Sequence, residues 1–373
     1  MRYVFVANPG TPRCEHHAAA VRAAGDFELV VVPWVDVIPR HGCLDDLPAF
    51  DAPAVVRLES PGRDARVAAL MLEAGGRPAS AGWRPGTAHA GFVRALCGLH
   101  ASFAARPHLR PTACPLAVAA MFDKAATSER LSRAGLPTPE LLPSPFDDGP
   151  TYAKLNTGSA GAGIIAIRNR VGVSSLVRHG DGFASARRPH ELRGDDLEAA
   201  LAFLRREGLV VQRGIAFAQI DGANFDVRVV CVAGDVVASI FRVSPHPMTN
   251  LNLGGRRGGD ARCRAAIPPR AWLDALDDCA VAARLFDATV VGVDLIFERG
   301  YRRHFLLEVN AFGDFFPGWT DAAGRGIPTR ELAAIRSGTG RSRKQPLPAE
   351  GTEPTPSPPT PKSDGRPRFS GNS

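Results

Sequence analysis

The sequence predicts a mixed α/β and α+β protein, in which a domain with a parallel sheet precedes a region of short strands and hairpins. In residues 1–110, short apolar runs alternate with Ala- and Arg-rich helical patterns, which is typical of βαβ units. In residues 111–336 the pattern changes to a helix, a glycine-rich loop and hairpins. Residues 337–373 are rich in Pro, Ser and Thr and lack core-forming periodicity, so we expect a disordered tail.

The composition is that of an ordinary soluble globular protein, with 45% hydrophobic and 22% charged residues. No apolar run approaches the ~20 residues that a membrane-spanning helix needs. The first apolar stretch is also too short for a signal peptide. The seven cysteines are scattered without a C-x-x-C pair, which argues against a disulfide framework or a zinc site. We therefore expect a cytoplasmic protein.

The net charge of +7 does not by itself indicate a nucleic-acid partner. The tail holds six basic and three acidic residues, and the rest of the chain has no basic stripe interleaved with aromatic residues. A modest positive excess also suits anionic small-molecule substrates. We expect small-molecule or peptide substrates, no membrane partner and no nucleic acid; nucleic-acid binding through the basic tail is the weaker alternative.

Lysine is rare in this chain, and the two lysines before the tail occur where a phosphate-binding site would need them. Only four of the 45 Lys and Arg residues are lysines, and only Lys124 and Lys154 precede the tail. A compact ammonium group on a flexible stem reaches a phosphate oxygen in a narrow cleft more easily than a planar guanidinium does. The two lysines are therefore candidate phosphate contacts, with chance survival as the alternative.

A glycine-rich loop follows the second lysine. A predicted strand ends in residues 156–163, which contain Gly158, Ser159, Gly161 and Gly163. Backbone N–H groups in such a loop can surround phosphate oxygens, because glycine permits positive φ and close approach. No Lys-Ser/Thr pair follows, so this is not a Walker P-loop, and the strand–loop–strand context argues against a dinucleotide-binding helix. A glycine-rich hairpin without a ligand is the alternative.

Residues 224–242 predict an antiparallel hairpin around an Ala-Gly-Asp turn. Asp226 and Arg228 are two residues apart and project from one face, while Arg242 comes from the partner strand. A surface cross-strand ion pair is the alternative to a functional role, although the surrounding residues are strongly apolar.

Residues 290–310 predict a second hairpin, centred near Tyr301. In this register Asp294 and Glu308 are cross-strand neighbours with Cβ atoms about 5 Å apart, and Asn310 shares the face of Glu308. Two uncompensated carboxylates would repel each other, so a divalent cation is the natural partner, and oxygen ligands favour Mg²⁺. The alternative is a carboxylate pair satisfied by arginines such as Arg242.

Taken in order, these motifs resemble the ATP-grasp superfamily. The residues that carry the resemblance are Lys124 before Gly-Leu-Pro-Thr-Pro, Lys154 before the glycine loop, Asp226-x-Arg228, Arg242 with Asn250, and Asp294 with Glu308-x-Asn310. The branch most similar to this chain holds the ribosomal-protein glutamate ligase and glutathione synthetase, and the resemblance covers about residues 111–318. Residues 1–110 then suit the α/β domain that precedes the ATP-grasp domain in that family.

The resemblance implies a nucleotide held between two lobes, about residues 111–211 and 212–336, with the glycine loop closing over its phosphates. The site residues that it implies are, for ATP, Lys124, Lys154, Gly158, Ser159, Gly161, Gly163, Gln212, Arg213, Gly214, Ile215 and Asp226; for two Mg²⁺ ions, or Mn²⁺ in their place, Asp294, Glu308 and Asn310; and for the transferred phosphoryl group and the acyl phosphate, Arg228, Arg242 and Asn250.

The predicted hinge departs from the family pattern. The family commonly has a glutamate there for the ribose hydroxyls, whereas this chain has Gln212 and Arg213. Asp226 or Asp221 is the substitute ribose contact that we expect.

Two further places are candidate substrate contacts. Residues 249–259 form either a mobile lid that presents Arg256 and Arg257 to an anionic substrate or a simple exposed loop. Arg57 and Glu59 follow the third predicted strand, and ligands gather at such strand ends in open α/β sheets. A salt bridge at the entry of the next helix is the alternative for this pair.

The resemblance implies an ATP- and Mg²⁺-dependent carboxylate–amine ligase, in which a carboxylate attacks the γ-phosphate and an amine displaces phosphate from the acyl phosphate. The sequence shows no Ser-His-Asp or Cys-His arrangement, which fits catalysis by positioning and electrostatics. The alternatives are a kinase on the same fold and a nucleotide-binding scaffold without turnover, and the complete set of metal ligands argues against the scaffold. Since related ligases often pair, a homodimer is a further expectation.

Overall fold

The computed structural model describes residues 1–158, 161–180 and 182–339. The N-terminal part is a parallel sheet in the strand order β2–β1–β3–β4, connected by helices. Its elements are β1 (Arg2–Ala7), α1 (Pro12–Ala24), β2 (Glu28–Pro33), α2 (Trp34–Val37), β3 (Ala54–Leu58), α3 (Ala65–Ala74), α4 (Pro85–Ala104) and β4 (Leu109–Pro111). This arrangement confirms the predicted N-terminal parallel sheet.

The next segment differs from its prediction. The sequence pattern predicts one helix over residues 116–134, whereas the structure has α5 (Pro115–Phe122) and α6 (Lys124–Arg133). Asp123 separates them because it adopts an extended conformation with ψ 102°, and its side chain accepts a hydrogen bond from Ala126 N at 2.9 Å. An aspartate that caps a helix in this way starts a new helix. As a result, Lys124 lies at the first position of α6.

An antiparallel sheet follows, in the order β8–β7–β6–β5–β9. Its elements are β5 (Thr151–Leu155), β6 (Ile164–Arg168), β7 (Val171–His179), β8 (Gly182–Leu192), α7 (Gly194–Glu207) and β9 (Leu209–Arg213). The apolar face of α7 packs on this sheet and forms a separate core around Leu201 and Phe203. The sheet covers most of the predicted first lobe and ends at Arg213, two residues past its predicted end.

A second antiparallel sheet has the order β13–β12–β11–β14–β15, with β10 paired to the start of β11. Its elements are β10 (Gln219–Ile220), β11 (Ala223–Val232), β12 (Asp235–Ser244), β13 (Arg256–Arg257), α8 (Asp260–Ala265), α9 (Pro269–Arg284), β14 (Val290–Phe297) and β15 (His304–Asn310). Both predicted hairpins are present. Asp294 pairs with Glu308 in the predicted register, and in the first hairpin Asp226 pairs with Arg242.

The last described helix, α10 (Ile327–Ser337), packs on two parts of the protein. Leu332 and Ile335 join the core under the parallel sheet, beside Tyr3 and Phe5. Ile327 instead packs against β11 and β12 of the second antiparallel sheet. The helix therefore connects the N-terminal sheet to the second antiparallel sheet.

The boundaries 110, 211 and 336 stay predictions; β4 extends one residue past the first and β9 two residues past the second. Most of the predicted tail, residues 340–373, lies outside the described residues. None of the helices that the structure describes combines the length and the apolar content needed to cross a bilayer.

Candidate functional site

A cavity with an empty volume of about 600 Å³, here called the first cavity, lies between the two antiparallel sheets. Predicted site residues from both sheets line it: Lys154, Gln212, Arg213, Ile215, Asp226, Asn250, Asp294 and Glu308. The fold thus brings together residues that are up to 154 positions apart in the sequence. Much of the predicted nucleotide and metal site is one surface in the structure.

One wall of the first cavity is apolar, and the sequence reasoning missed it. Tyr152, Phe217, Ile296 and Leu307 line this wall, together with Pro139. Such a slot suits a planar ring, because ligand cavities are mostly apolar with few placed polar groups. In the sequence, Tyr152, Ile296 and Leu307 look like ordinary strand residues, so no local signal distinguished them.

Lys154 lies on β5 and points its ammonium group at Gln212 on β9. Its Nζ donates to Gln212 Oε1 at 2.6 Å. Burial lowers the pKa of Lys154 to about 8, although the nearby Glu308 acts in the opposite direction. A buried lysine whose main hydrogen-bond partner is neutral is poised for an anion.

Lys124 connects α6, the glycine loop and β15. Its Nζ donates to the carbonyl oxygen of Gly158 and lies 3.7 Å from Glu308 Oε2. The break of the helix at Asp123 makes this contact possible, because it places Lys124 at the beginning of α6 next to the loop. Both retained lysines therefore lie near Glu308, as expected for groups that share one polyphosphate.

The carboxylate of Asp294 is neutralised by two arginines. Arg228 donates to both of its oxygens, and Arg242 Nη2 lies 3.0 Å from Asp294 Oδ2. Arg242 also donates to both oxygens of Asp226, with Nε at 2.7 Å from Oδ1. Burial would raise the pKa of Asp294, but Arg228 and Arg242 lower it to about 2. The expectation of an uncompensated carboxylate pair is thus wrong for Asp294, and the arginine alternative holds for it.

The remaining oxygen donors still fit a magnesium ion. Glu308 lies opposite Asp294 and keeps 24% of its side chain exposed, and Asn310 follows two residues later. Among the described residues, Asn310 Nδ2 is the buried side-chain nitrogen without a hydrogen-bond partner. Rotating the Asn310 amide so that Oδ1 faces the ion breaks no hydrogen bond of Nδ2, because Nδ2 makes none. Mg²⁺ typically takes one or two protein carboxylates, waters and substrate phosphates, which matches this set.

No denser metal-binding cluster exists in the part of the chain that the structure describes: no group of three or more His, Cys, Asp and Glu side chains there could hold an ion. The fit for magnesium therefore depends on the carboxylates of Asp294 and Glu308 and on the amide of Asn310. Asp294 would contact the ion while it stays paired with Arg228 and Arg242.

The glycine loop touches the segment that carries Asn250. Gly161 has φ +78°, and a Cβ atom built on it would lie 2.8 Å from Leu253 Cδ1 and 3.0 Å from Asn250 Cγ. Glycine is therefore required here for both the backbone conformation and the close approach. Of the other predicted loop residues, Gly163 also has positive φ, and Ser159 lies outside the described residues.

Residues 249–259 contain a short 3₁₀ turn, Leu251–Leu253, and the two-residue strand β13 that pairs with β12. The lid and the exposed loop both stay predictions for this segment. Arg256 and Arg257 are exposed on that strand, and Arg257 donates to the carbonyl oxygen of Phe315 at 3.4 Å. The two arginines do not line the first cavity.

The predicted ribose contacts receive no support from the geometry. Asp226 has both oxygens bonded to Arg242, and the exposed Asp221 pairs with Arg262 at 2.6 Å. The guanidinium of Arg213 is held by Glu140 at 2.7 Å and by Asp147 at 3.3 Å. Gly214 contributes its backbone N–H to Pro150 O at 2.7 Å.

Arg57 is a buried ion-pair residue. Its Nε lies 2.9 Å from both oxygens of Glu331 on α10, and its Nη1 lies 2.7 Å from Glu59 Oε2. This arrangement favours the salt-bridge alternative, with a partner 274 residues away that the spacing did not indicate. It does not belong to the first cavity.

Comparisons with known proteins identify the architecture. Residues 147–258 match the family model described as YheC/D like ATP-grasp. No curated protein matches the sequence. The ATP-grasp ligase PsnB, complexed with a minimal precursor, is similar in structure, with a TM-score of 0.54, 18% identity, and coverage of 90% of this chain and 98% of PsnB.

Two further solved structures are similar. The macrocyclase MdnC from Microcystis aeruginosa MRC, bound with precursor peptide MdnA, gives a TM-score of 0.52 at 11% identity over 91% of this chain and 100% of MdnC. D-alanine–D-alanine ligase from Bacillus anthracis gives 0.50 at 12% identity over 91% and 96%. At these identities the likeness is one of fold, and the narrower resemblance to the glutathione synthetase branch stays a prediction.

Proposed function

Given that the chain has the ATP-grasp fold, as its motifs predict, we propose that it is an ATP- and Mg²⁺-dependent ligase that joins a carboxylate to an amine. The observation that carries the proposal is that Lys154 and Glu308 line one cavity between two sheets, while Lys124 lies 3.7 Å from the same Glu308. A cavity with apolar lining residues and two lysines near one carboxylate is complementary to a base with a polyphosphate and its metal ion.

In this proposal the adenine ring lies against the apolar wall of the first cavity, and Lys124 and Lys154 bind the phosphates. Lys124 donates a hydrogen bond to the Gly158 carbonyl of the glycine loop. Phosphates bound at Lys124 therefore lie where the loop meets α6 and contact both. Loop N–H groups supply further donors at no cost in charge. The residues that hold the magnesium are Glu308, Asn310 and Asp294, and the ion when bound neutralises phosphate charge and orients the γ-phosphoryl group.

The first chemical step forms a bond between a substrate carboxylate oxygen and the γ-phosphorus, and the bond to the β-phosphate oxygen breaks to release ADP. Arg228 and Arg242 lie beside Asp294 and spread the charge of the transferred group. In the second step the amine nitrogen attacks the acyl carbon, phosphate leaves, and the nitrogen loses a proton. The chain positions charges and forms no covalent intermediate.

Water must be excluded while the acyl phosphate exists, because it hydrolyses. The contact between Gly161 and the Asn250–Leu253 segment supports a role in closure, since it joins the glycine loop to a residue that lines the first cavity. We further propose a cytoplasmic location, which the seven free cysteines suit. A homodimer stays a prediction.

The test is Mg²⁺-dependent ADP release by the purified protein over pooled carboxylates and amines. Peptides belong in the pools, because the structural relative MdnC is bound with a precursor peptide. We expect release that requires one acid and one amine, and a loss of about a hundredfold or more in Glu308→Gln, since one preorganised group of this kind contributes that much. Glu129→Gln is the matched control, because Glu129 is an exposed helix residue paired with Arg133.

Two outcomes would contradict the ligase. ADP formed together with a stable phosphorylated product and no amide would identify a kinase. Tight nucleotide binding with no turnover above that of Glu308→Gln in any pool would identify a scaffold.

A further inference from the structure

A second cavity, with an empty volume of about 400 Å³, lies outside the nucleotide site. It is lined by residues from α1, from the end of β3, from the loop after β15 and from α10. Nothing in the proposed nucleotide chemistry uses it. Its lining combines charged side chains with aromatic rings, which is the composition of a binding site for a small polar molecule with an apolar body.

The buried wall of this second cavity is electrically balanced. Arg13 Nε lies 2.7 Å from Glu59 Oε1, and Arg57 pairs with both Glu59 and Glu331. Two arginines and two glutamates thus satisfy each other. They shape the cavity and leave no net charge for a ligand.

Asp314 adds a further carboxylate to the lining. It is the last member of a line of alternating charges that runs from the first cavity to the second: Asp226, Arg242, Asp294, Arg228 and Asp314. Three acids and two arginines leave one negative charge in excess. The first four side chains are 4–11% exposed, whereas Asp314 is 28% exposed. The excess charge is therefore most exposed at Asp314, in the second cavity. Its Oδ1 accepts one hydrogen bond, from Phe315 N at 2.6 Å, and its Oδ2 accepts one from Arg228 Nη1 at 3.2 Å, so each oxygen keeps a lone pair for an ammonium ion.

Aromatic rings lie next to this carboxylate. Phe312, Phe315 and Phe316 line the second cavity with His16, whose ring centroid is 5.2 Å from that of Phe315. Ring faces attract cations and pack against apolar groups, and the guanidinium of Arg257 lies over the Phe316 ring, 5.9 Å from its centroid. A carboxylate beside aromatic rings is complementary to an ammonium group attached to an apolar body.

We propose that the second cavity binds the amine substrate as its ammonium ion, with the nitrogen at Asp314 and the apolar body against Phe315 and Phe316. That the amine is a substrate rests on the proposed function; that the second cavity takes an ammonium ion does not. Arg228 links the two places, since it bonds Asp294 through Nη2 at 2.9 Å and Asp314 through Nη1 at 3.2 Å. An amine at Asp314 lies one side chain away from the proposed phosphoryl site.

The experiment is a ligand-observed NMR titration of the full chain, without ATP, using three probes of one shape: phenethylamine, 2-phenylethanol and phenylacetate. We expect phenethylamine to bind at least about tenfold more tightly than either of the others, since a charge-assisted hydrogen bond contributes that much. Asp314→Asn should remove this preference. Asp235→Asn is the control, because Asp235 is an exposed carboxylate outside the second cavity, with 78% of its side chain exposed and Arg284 3.8 Å away.

Equal binding of the three probes, or tighter binding of phenylacetate, by the wild-type protein would overturn the proposal even if the Asp314 variant failed to fold. Retention of the preference in a folded Asp314→Asn variant would overturn it as well. Because no nucleotide is present, a negative result here leaves the ADP-release test of the ligase untouched, and failure of that test leaves this titration valid.

Discussion

Lys154 donates a hydrogen bond of 2.6 Å to Gln212, across the neighbouring strands β5 and β9. Gln212 in turn lies 3.4 Å from Ser128 Oγ on α6, so the lysine is held in a fixed position. Because glutamine is neutral, its hydrogen bond offsets less of the cost of burying the ammonium ion than a carboxylate would. The pKa of Lys154 accordingly falls to about 8, with burial as the main cause.

The first prediction concerns the pH dependence of nucleotide binding. Lys154 is charged below its pKa and neutral above it, so ADP affinity should fall by about tenfold between pH 7.5 and 9.5. An ordinary lysine would not titrate in this range. Calorimetric titration with ADP measures the effect. Lys154→Arg is the control, because arginine stays charged and its profile should be flat; a flat wild-type profile would contradict the prediction.

The second prediction concerns the glycine loop. Gly161→Ala places a Cβ atom 2.8 Å from Leu253 Cδ1, so the loop must move away from the Asn250 segment. We expect ADP release to fall by about tenfold. Gly25→Ala is the matched control, since Gly25 has φ +76° but no neighbour within 4 Å of its Cβ. Both variants carry similar backbone strain. Equal activity of the two variants would show that loop contact has no part in turnover.

The two hairpins could be predicted because turn chemistry and the two-residue alternation of strands are local. The turn at residues 233–234 places Asp226 and Arg242 on facing strands, and a register shift between Val230 and Cys231 then moves their pairing by one residue. The pairing of Asp294 with Glu308 likewise lies beyond a register shift, at Asp294/Leu295. These two hairpins supply much of the candidate site, which explains why the sequence identified it.

The partners of these carboxylates could not be predicted, because they depend on which strands become neighbours. The pairing of β11 with β14 places Arg228 opposite Asp294, and no local pattern specifies that pairing. For the same reason the bond between Arg57 and Glu331 was missed, as was the apolar wall. The break at Asp123 is a different case: Asp is a common N-cap, and the periodicity on both sides concealed it.

The third prediction tests the alternating row of buried charges around Asp294. Asp294→Ala leaves Arg228 and Arg242 without their shared carboxylate, which should lower the free energy of unfolding by about 3–5 kcal/mol. Replacing Arg228 by Met in the same chain should recover part of the loss, since one unpaired charge is removed. Urea unfolding measures both, with Glu129→Ala as a surface control expected to change stability by less than about 0.5 kcal/mol. An unchanged urea midpoint in Asp294→Ala would be the contrary result.

The fourth prediction concerns His17, which is buried beneath the parallel sheet. Its Nε2 shares a hydrogen bond of 2.8 Å with Tyr3 Oη, and its Nδ1 lies 3.9 Å from Glu331 Oε2. Burial is the main cause that lowers the pKa of His17 well below 6.5, and Arg57 lowers it further. The folded state therefore keeps this imidazole neutral at pH values where the unfolded chain has bound a proton.

The sign of the effect on stability follows from that difference. Above about pH 6.5 neither state binds the proton and His17 adds no pH dependence; below it the unfolded state binds one more proton, so the free energy of unfolding falls by up to about 1.4 kcal/mol per pH unit. In His17→Gln this part of the slope between pH 6.5 and 5 should disappear, while the exposed His179→Gln should keep it. Urea unfolding at four pH values measures the slopes. Parallel slopes for wild type and His17→Gln would mean that His17 accepts its proton in the folded protein, with Glu331 as its counter-ion.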